Sequence, residues 1–257
     1  MPEGWAWDPT LFAGTAAHYE RGRLPYPSEM RDAFAGAADL RGAPRLLDVG
    51  CGPGSVARPL ADLFVEVVGV DPDPDMLDAA ARHGVPNARW VRLRGEELPA
   101  GLGRFRYATF GRSFHWMDRA AVAAIVFDML EPGGAFVHVD ARSQSPSEDL
   151  RALTARYLGD ERRAGAGVLR HGTPGDEWGV LRAAGFEPPV IVAVPGDGEV
   201  ERSADDMVSW VLSQSATAPH LFGDRLADFE RDLRKLLGDG PFRQRPPDTD
   251  LVFYRRP

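Results

Sequence analysis

Residues 46–54 read LLDVGCGPG. Apolar side chains on both sides of Asp48 describe a short buried strand, and Gly50, Gly52 and Gly54 follow at alternate positions. Two explanations fit a run from strand into glycines. One is a tight turn. The other is a loop whose bare backbone lets a ligand lie against it, because glycine permits angles and approach distances that a Cβ blocks. The spacing is G-x-G-x-G. The dinucleotide loop is G-x-G-x-x-G and opens onto a helix that receives a pyrophosphate. A carboxylate at Asp48 disfavours a pyrophosphate and suits a ligand with an ammonium group. A nicotinamide-dependent oxidoreductase, the rival reading of such a loop, therefore lacks its fingerprint here.

Working outward, VEVVGV (65–70) reads as a second strand ending at Asp71, about 20 residues beyond the loop, where a doubly wound sheet places the acid that accepts ribose hydroxyls. Asp73 fits the N-cap of the next helix, with Pro74 at its first position, which leaves Asp71 for a ligand. That helix stops at Gly84. ARWVRL (88–93), RYATFG (106–111) and AFVHVD (135–140) are further strands. A helix starts near Pro27-Ser28, and another runs from Gly54 to Phe64 with Val56, Leu60, Leu63 and Phe64 on one face. Asp118 caps a helix whose Val122, Ile125, Val126, Met129 and Leu130 share a face. Strands alternating with helices predict an α/β fold with a mostly parallel sheet and helices on both faces.

After Asp140 the pattern loosens. Residues 141–175 are polar and rich in Arg, Gly and Ser. WGVLRAAGF (178–186) reads as a helix, PVIVAV (189–194) as a strand, 204–216 and 221–238 as helical, and DLVFY (250–254) as the last strand. The late helices form either a lid over the ligand edge or a packing layer. The expected organisation is one domain over 1–257: a leading lid segment at 1–40, a cofactor-binding core at 41–140, and acceptor-side insertions that complete the sheet at 141–257.

The chain has 257 residues, 44% hydrophobic and 26% charged, which suits a water-soluble globule. No apolar run reaches the ~20 residues of a membrane span. The leading residues lack the basic start and apolar core of a signal peptide, and the single cysteine, Cys51, suits a reducing cytosol. A net charge of −8 without a basic run argues against a nucleic-acid partner. Lysine occurs once, at Lys235, and the arginine-rich composition reads as codon bias.

Together these motifs resemble the class I S-adenosylmethionine-dependent methyltransferases, and within them the small-molecule group that includes trans-aconitate methyltransferase. The resemblance runs from about Tyr19 to Asp140 and implies a seven-stranded Rossmann-like sheet with S-adenosylmethionine as cofactor. LLDVGCGPG matches the first family motif, which assigns Asp48, Gly50 and Gly52 to the cofactor. VVGVDPDPDML matches the second, so Asp71 inherits the ribose role, and Pro72 and Met76 the apolar contacts to adenine. RGEELP (94–99) resembles the segment at the adenine edge, assigning Gly95 and Glu96, although many relatives carry an acid where Arg94 stands. FRYATFGRSFHWMD resembles the fourth motif, with Gly111 and Arg112 beside the sulfonium; relatives often have an aspartate in place of Arg106. HYERGRLPYP resembles the family's leading motif, which makes Tyr19 and Arg23 candidates for closing over the methionine carboxylate.

Methyl transfer is an in-line displacement, so alignment supplies most of the catalysis. A hydroxyl or protonated-amine acceptor also needs a base, whereas a carboxylate does not. His115, after the fourth strand, is the candidate catalytic residue, as base or as a binding group. His18 reads as an exposed polar group, His138 as a core histidine and His171 as a candidate lid residue. The six histidines and one cysteine show no metal-ligand spacing. Trp116, Trp178, Trp210 and Phe222 are candidates for an apolar acceptor pocket. Residues 141–175 and 201–247 carry no acceptor motif, so oxygen, nitrogen and carboxylate acceptors all stay open. A fold that keeps the pocket but runs another reaction also stays open, because fold does not fix chemistry.

Overall fold

The computed structural model describes residues 7–142, 146–165, 167–169 and 175–257; His171 lies outside them. Helices α1 (Ala16–Gly22) and α2 (Met30–Ala37) precede β1 (Arg45–Val49). There follow α3 (Ala57–Leu60), β2 (Glu66–Asp71), α4 (Pro74–Arg82), β3 (Ala88–Arg92), β4 (Phe105–Gly111), α5 (Arg119–Met129) and β5 (Leu130–Ala141). The second half holds α6 (Glu148–Leu158), a small ribbon of β6 (Arg163–Ala164) and β7 (Gly167–Val168), and α7 (Glu177–Ala183). Then come β8 (Val190–Val194), β9 (Val200–Arg202), α8 (Ala204–Leu212), α9 (Leu226–Leu237), β10 (Phe242–Gln244) and β11 (Thr249–Arg255).

Seven strands make one sheet in the order β3-β2-β1-β4-β5-β11-β8. The first five are parallel, and β11 runs antiparallel to both of its neighbours. The mostly parallel Rossmann-like sheet predicted by the sequence is therefore present. Side-chain alternation sends each strand to two cores. Leu47, Val49, Ala108, Phe110 and Phe136 pack against α5 and α7 through Val122, Val126 and Leu181. Leu46, Tyr107, Val137 and Phe253 pack against α2 and α3 through Met30, Phe34 and Leu60. Phe34 is fully buried and meets the Tyr107 ring edge-on at 5.3 Å, and its burial alone contributes about 1.5–3 kcal/mol.

The caps read from sequence form as expected. Asp73 accepts from the Asp75 N–H with Pro74 following it, and Asp118 accepts from the Ala121 N–H. Other elements differ. The helix expected from Gly54 to Phe64 shrinks to α3 and a 3-10 turn at Ala61–Leu63. Pro59 has no N–H to give the previous turn, so a helix containing it must begin close by. Strand β5 begins at Leu130, earlier than expected, with a register shift opposite Phe105 and Tyr107. Helix α6 lies in the stretch read as irregular. It packs with α8 and α9 into a separate core of Leu150, Leu153, Val208, Val211, Phe229 and Leu233. A short β9–β10 ribbon, not anticipated, accompanies this helical layer.

The leading segment is fastened to that layer. A Cβ on Gly22 would come within 2.4 Å of the Ser209 backbone, so α1 can approach α8 only through glycine. Arg202 donates to the Arg21 and Gly22 carbonyls at 3.0 and 2.9 Å. Among the described residues no helix is long and apolar enough to cross a membrane.

Candidate functional site

The chain steps outward from β1 to β2 and β3, then returns to the other side of β1 with β4. Such a reversal opens a crevice beyond the carboxyl ends of the strands. The glycine loop sits there. Gly50 has φ +66°, and a Cβ on it would lie 2.5 Å from the Cβ of Ser113. Gly52 has φ +54° with open space before it, so its backbone faces the crevice.

Asp71 ties this loop to the next one. Its Oδ2 accepts from the Gly52 N–H and its Oδ1 from the Asp73 N–H, both at 2.9 Å. Each oxygen keeps a further lone pair for a ligand hydroxyl. Burial pushes this carboxyl up to about 6, against those two hydrogen bonds. Asp48 lies deeper, 1% exposed, between Gly69 and Thr109 of the neighbouring strands. Thr109 Oγ1 donates to its Oδ1 at 2.8 Å and the Ala57 backbone N–H also favours the carboxylate, while Oδ2 makes no well-formed hydrogen bond among the described residues. Burial, with the Asp71 charge adding to it, raises Asp48 to about 7. A carboxylate buried beneath a glycine loop, and not itself on the wall of either cavity, favours a cation in the crevice through its charge.

Two cavities open over the loop. The smaller, about 100 Å³, is lined by Gly50, Gly52, Asp71, Pro72, Met76, Gly95, Glu96, Gly111, Arg112 and Tyr19. Trp7, Leu11 and Phe12 of the leading segment also line it, as do Arg94 and Trp116. The larger, about 790 Å³, lies against the helical layer and includes Arg23, Tyr26, Trp210 and Arg162. Tyr19 and Arg112 line both, so the cavities meet there. Arg23 thus sits on the larger cavity. It donates to the Ser213 carbonyl at 2.8 Å, lies over the Tyr19 ring at 5.1 Å, and its Nε is buried without a partner. Burial lowers its affinity for the proton, but a guanidinium stays charged throughout.

His115 lines neither cavity. Its ring lies against Trp116, centroids 4.9 Å apart, and Trp116 takes the place at the smaller cavity. Burial, helped by Arg112, His138, Arg162 and Arg119, depresses His115 to about 3. Burial also lowers His138 and pushes the Cys51 thiol well up. Of the aromatic candidates, Trp210 borders the larger cavity. Trp178 stacks on Tyr254, and Phe222 on Phe229, inside the cores. The smaller cavity owes much of its cover to Trp7, Leu11 and Phe12, which the sequence reading passed over. The apolar side chains of WDPTLF (7–12) standing just ahead of α1 are the signal for them.

Comparison with known proteins bears on this geometry. A Streptomyces coelicolor trans-aconitate 2-methyltransferase is 30% identical over 228 residues, covering 80% of this chain and 69% of that protein. The chain belongs to the class I S-adenosylmethionine-dependent methyltransferases. The family description "Methyltransferase domain" matches residues 46–134 of this methyltransferase. An uncharacterized methyltransferase of Mycobacterium tuberculosis is 35% identical over 123 residues, so the match spans about half of either protein, 48% and 49%. The fold is shared with a Haemonchus contortus phosphoethanolamine N-methyltransferase 2, solved with phosphomonomethylethanolamine and S-adenosylhomocysteine. The TM-score is 0.53 at 14% identity, covering 97% of this chain and 59% of that one. Arg94 pairs with Glu96 at 3.3 Å and lies over the Trp7 ring at 5.1 Å. Arg106 pairs with Asp39 at 2.8 Å, away from the crevice.

Proposed function

We propose that this chain transfers a methyl group from S-adenosylmethionine to a small-molecule acceptor in the cytosol. The observation that carries the reading is the meeting of the two cavities at Tyr19 and Arg112, one over Asp71 and the glycine loop, the other under the helical layer. When bound, the cofactor supplies an activated methyl group. Asp71 holds the ribose, Asp48 answers the ammonium and Arg23 the carboxylate. Gly95 and Glu96 meet the adenine edge, and Pro72 and Met76 its faces. Gly111 and Arg112 stand where donor and acceptor align. Residues 1–40 serve as lid, 41–140 as cofactor core and 141–257 as acceptor side. Calorimetry with S-adenosylhomocysteine, followed by labelled methyl transfer to an acceptor panel, tests the reading. Failure to bind S-adenosylhomocysteine, or binding of a nicotinamide dinucleotide instead, would overturn it.

Two further outcomes follow. Leu11 is 1% exposed and packs with Trp116, Ala164 and Leu169 over the smaller cavity. Leu11→Ala loosens that cover, and the dissociation rate of S-adenosylhomocysteine measured by stopped flow should rise about tenfold, for a Leu→Ala cost of about 2–5 kcal/mol shared between flap and ligand. An unchanged rate would make the segment mere packing. His115, depressed to about 3, is neutral at pH 7 and its conjugate acid is too strong for a working base, which needs a pKa near the operating pH. His115→Gln should keep kcat within about tenfold of wild type, where loss of a base costs about 10²–10⁴. A larger fall, with an acidic limb lost from the pH–rate profile, would restore the base role.

A further inference from the structure

The larger cavity carries a charge pattern that the cofactor does not use up. The chain is acidic overall, at −8, yet seven arginines line this cavity against three carboxylates. Those carboxylates, Glu148, Asp160 and Glu161, are all exposed, as is Arg162, whereas Arg23 and Arg112 are half-buried. The Arg23 guanidinium donates to the Ser213 carbonyl and that of Arg112 to the Ala141 carbonyl. Among the described residues, carboxylates give neither these two nor Arg162 an ion pair. Arg112 and Arg162 are close enough to repel each other, and both bear on His115. Like charges gathered without a counter-charge are unfavourable until an anion arrives. The cofactor brings one carboxylate, which Arg23 answers. Of the others, Arg112 stands at the junction of the two cavities, and Arg162 is the arginine whose charge bears on it.

We propose that the acceptor is an organic acid whose carboxylate is held by Arg112 and Arg162 and is itself methylated, with an apolar body lying over Leu150, Leu158, Val211 and Trp210. The inference rests on the methyl transfer proposed above. Arg112 lines both cavities, so an anion on it borders the methyl donor. The guanidinium fork matches a carboxylate in two parallel hydrogen bonds and so fixes its direction. Leu150, Leu158 and Val211 extend the core of the helical layer to the cavity wall. A volume of about 790 Å³ suits a ligand far larger than a short acid. In the reaction a carboxylate oxygen gains the methyl carbon, the donor's carbon–sulfur bond breaks with its electron pair left on sulfur, and a methyl ester forms. No proton moves, so the site needs no base, in keeping with a neutral His115.

The test loads wild type and Arg162→Gln with S-adenosylhomocysteine, measuring that affinity by calorimetry. The loaded proteins are then titrated with 4-phenylbutyrate, dodecanoate, their primary amides and inorganic phosphate. The acids should bind at least about tenfold more tightly than their amides, the effect of one charge-assisted pair. Arg162→Gln should lower that ratio severalfold, with Arg112 keeping the remainder, without changing the affinity for S-adenosylhomocysteine. Phosphate should not displace the acids, and labelled product should release volatile methanol in alkali, as a methyl ester does. Equal binding of acid and amide would overturn the proposal. So would an acid preference that Arg162→Gln leaves undiminished, displacement by phosphate, or no acid binding to the loaded protein. Failure of S-adenosylhomocysteine itself to bind would overturn the function proposed above, and this inference with it.

Discussion

Replacing Asp71 by alanine should lower the affinity for S-adenosylhomocysteine by at least about a hundredfold, because two hydrogen bonds to a charged group are lost at about 1.5–3 kcal/mol each. The structure adds a second loss. Asp71 also fixes the Gly52 and Asp73 N–H groups, so alanine frees the loop on which the cofactor would lie. Asp71→Asn separates the two effects. It retains one acceptor oxygen and one anchored N–H, and should fall between wild type and Asp71→Ala. Calorimetry gives the affinities, and a thermal melt confirms that each variant is folded. Equal affinity of wild type and Asp71→Ala would remove Asp71 from the ribose role.

Asp48→Asn should have opposite effects on stability and binding. Asp48 is raised to about 7, from about 3.9 in an unfolded chain. Between those values the folded protein keeps a proton that the unfolded chain has released, so stability falls as pH rises. The contribution is complete below about pH 4 and is lost as pH climbs through 7. Asparagine removes the titration and leaves an acceptor for Thr109. At pH 8 the ligand-free variant should be more stable than wild type by up to about 4 kcal/mol, with Tm several degrees higher, and the gain should vanish near pH 4. Its affinity for S-adenosylhomocysteine at pH 8 should drop, because the ammonium loses its counter-charge. Wild-type affinity should rise between pH 5.5 and 7.5 as Asp71 and Asp48 ionise, with protons released on binding and a calorimetric heat that depends on the buffer. Equal stability of variant and wild type at pH 8 would mean that burial does not raise the Asp48 carboxyl.

Much of the cofactor half was legible because its signals are local. The loop glycines, the Asp73 and Asp118 caps and the alternating apolar runs each state their own geometry within a few residues. Helix α6 carried such signals too. Ser147 caps it, Glu148 and Asp149 fill its first turn, and Gly159, at φ +84°, ends it. They were hidden by the Arg, Gly and Ser around them. Other features were not encoded locally. The apolar runs of β8 and β11 look alike, and only pairing decides which of them joins β5. His115 follows β4 as expected, but the 3-10 turn Phe114–Trp116 buries Phe114 and gives Trp116 the seat at the cavity. Arg23 was found by motif, while its place on the larger cavity depends on α1 docking against α8, a contact between distant parts of the chain. The acceptor residues come from loops and helices whose partners are equally distant.

The position of β11 has a consequence for biosynthesis. Strand β8 is made before β11 yet joins the sheet only through it. On the ribosome, β5 therefore waits with Val137 and Val139 on an open edge while the second half is translated, for roughly 5–20 seconds at ordinary elongation rates. The helical layer is completed in the same interval, since α9 ends shortly before β11 begins. The loop around Gly52 belongs to the part finished early, and the strand that seals the hydrophobic layer is finished late. A nascent chain of this design can present a formed cofactor crevice while one edge of its sheet is still open to other nascent chains, which makes that edge the natural client surface for a chaperone.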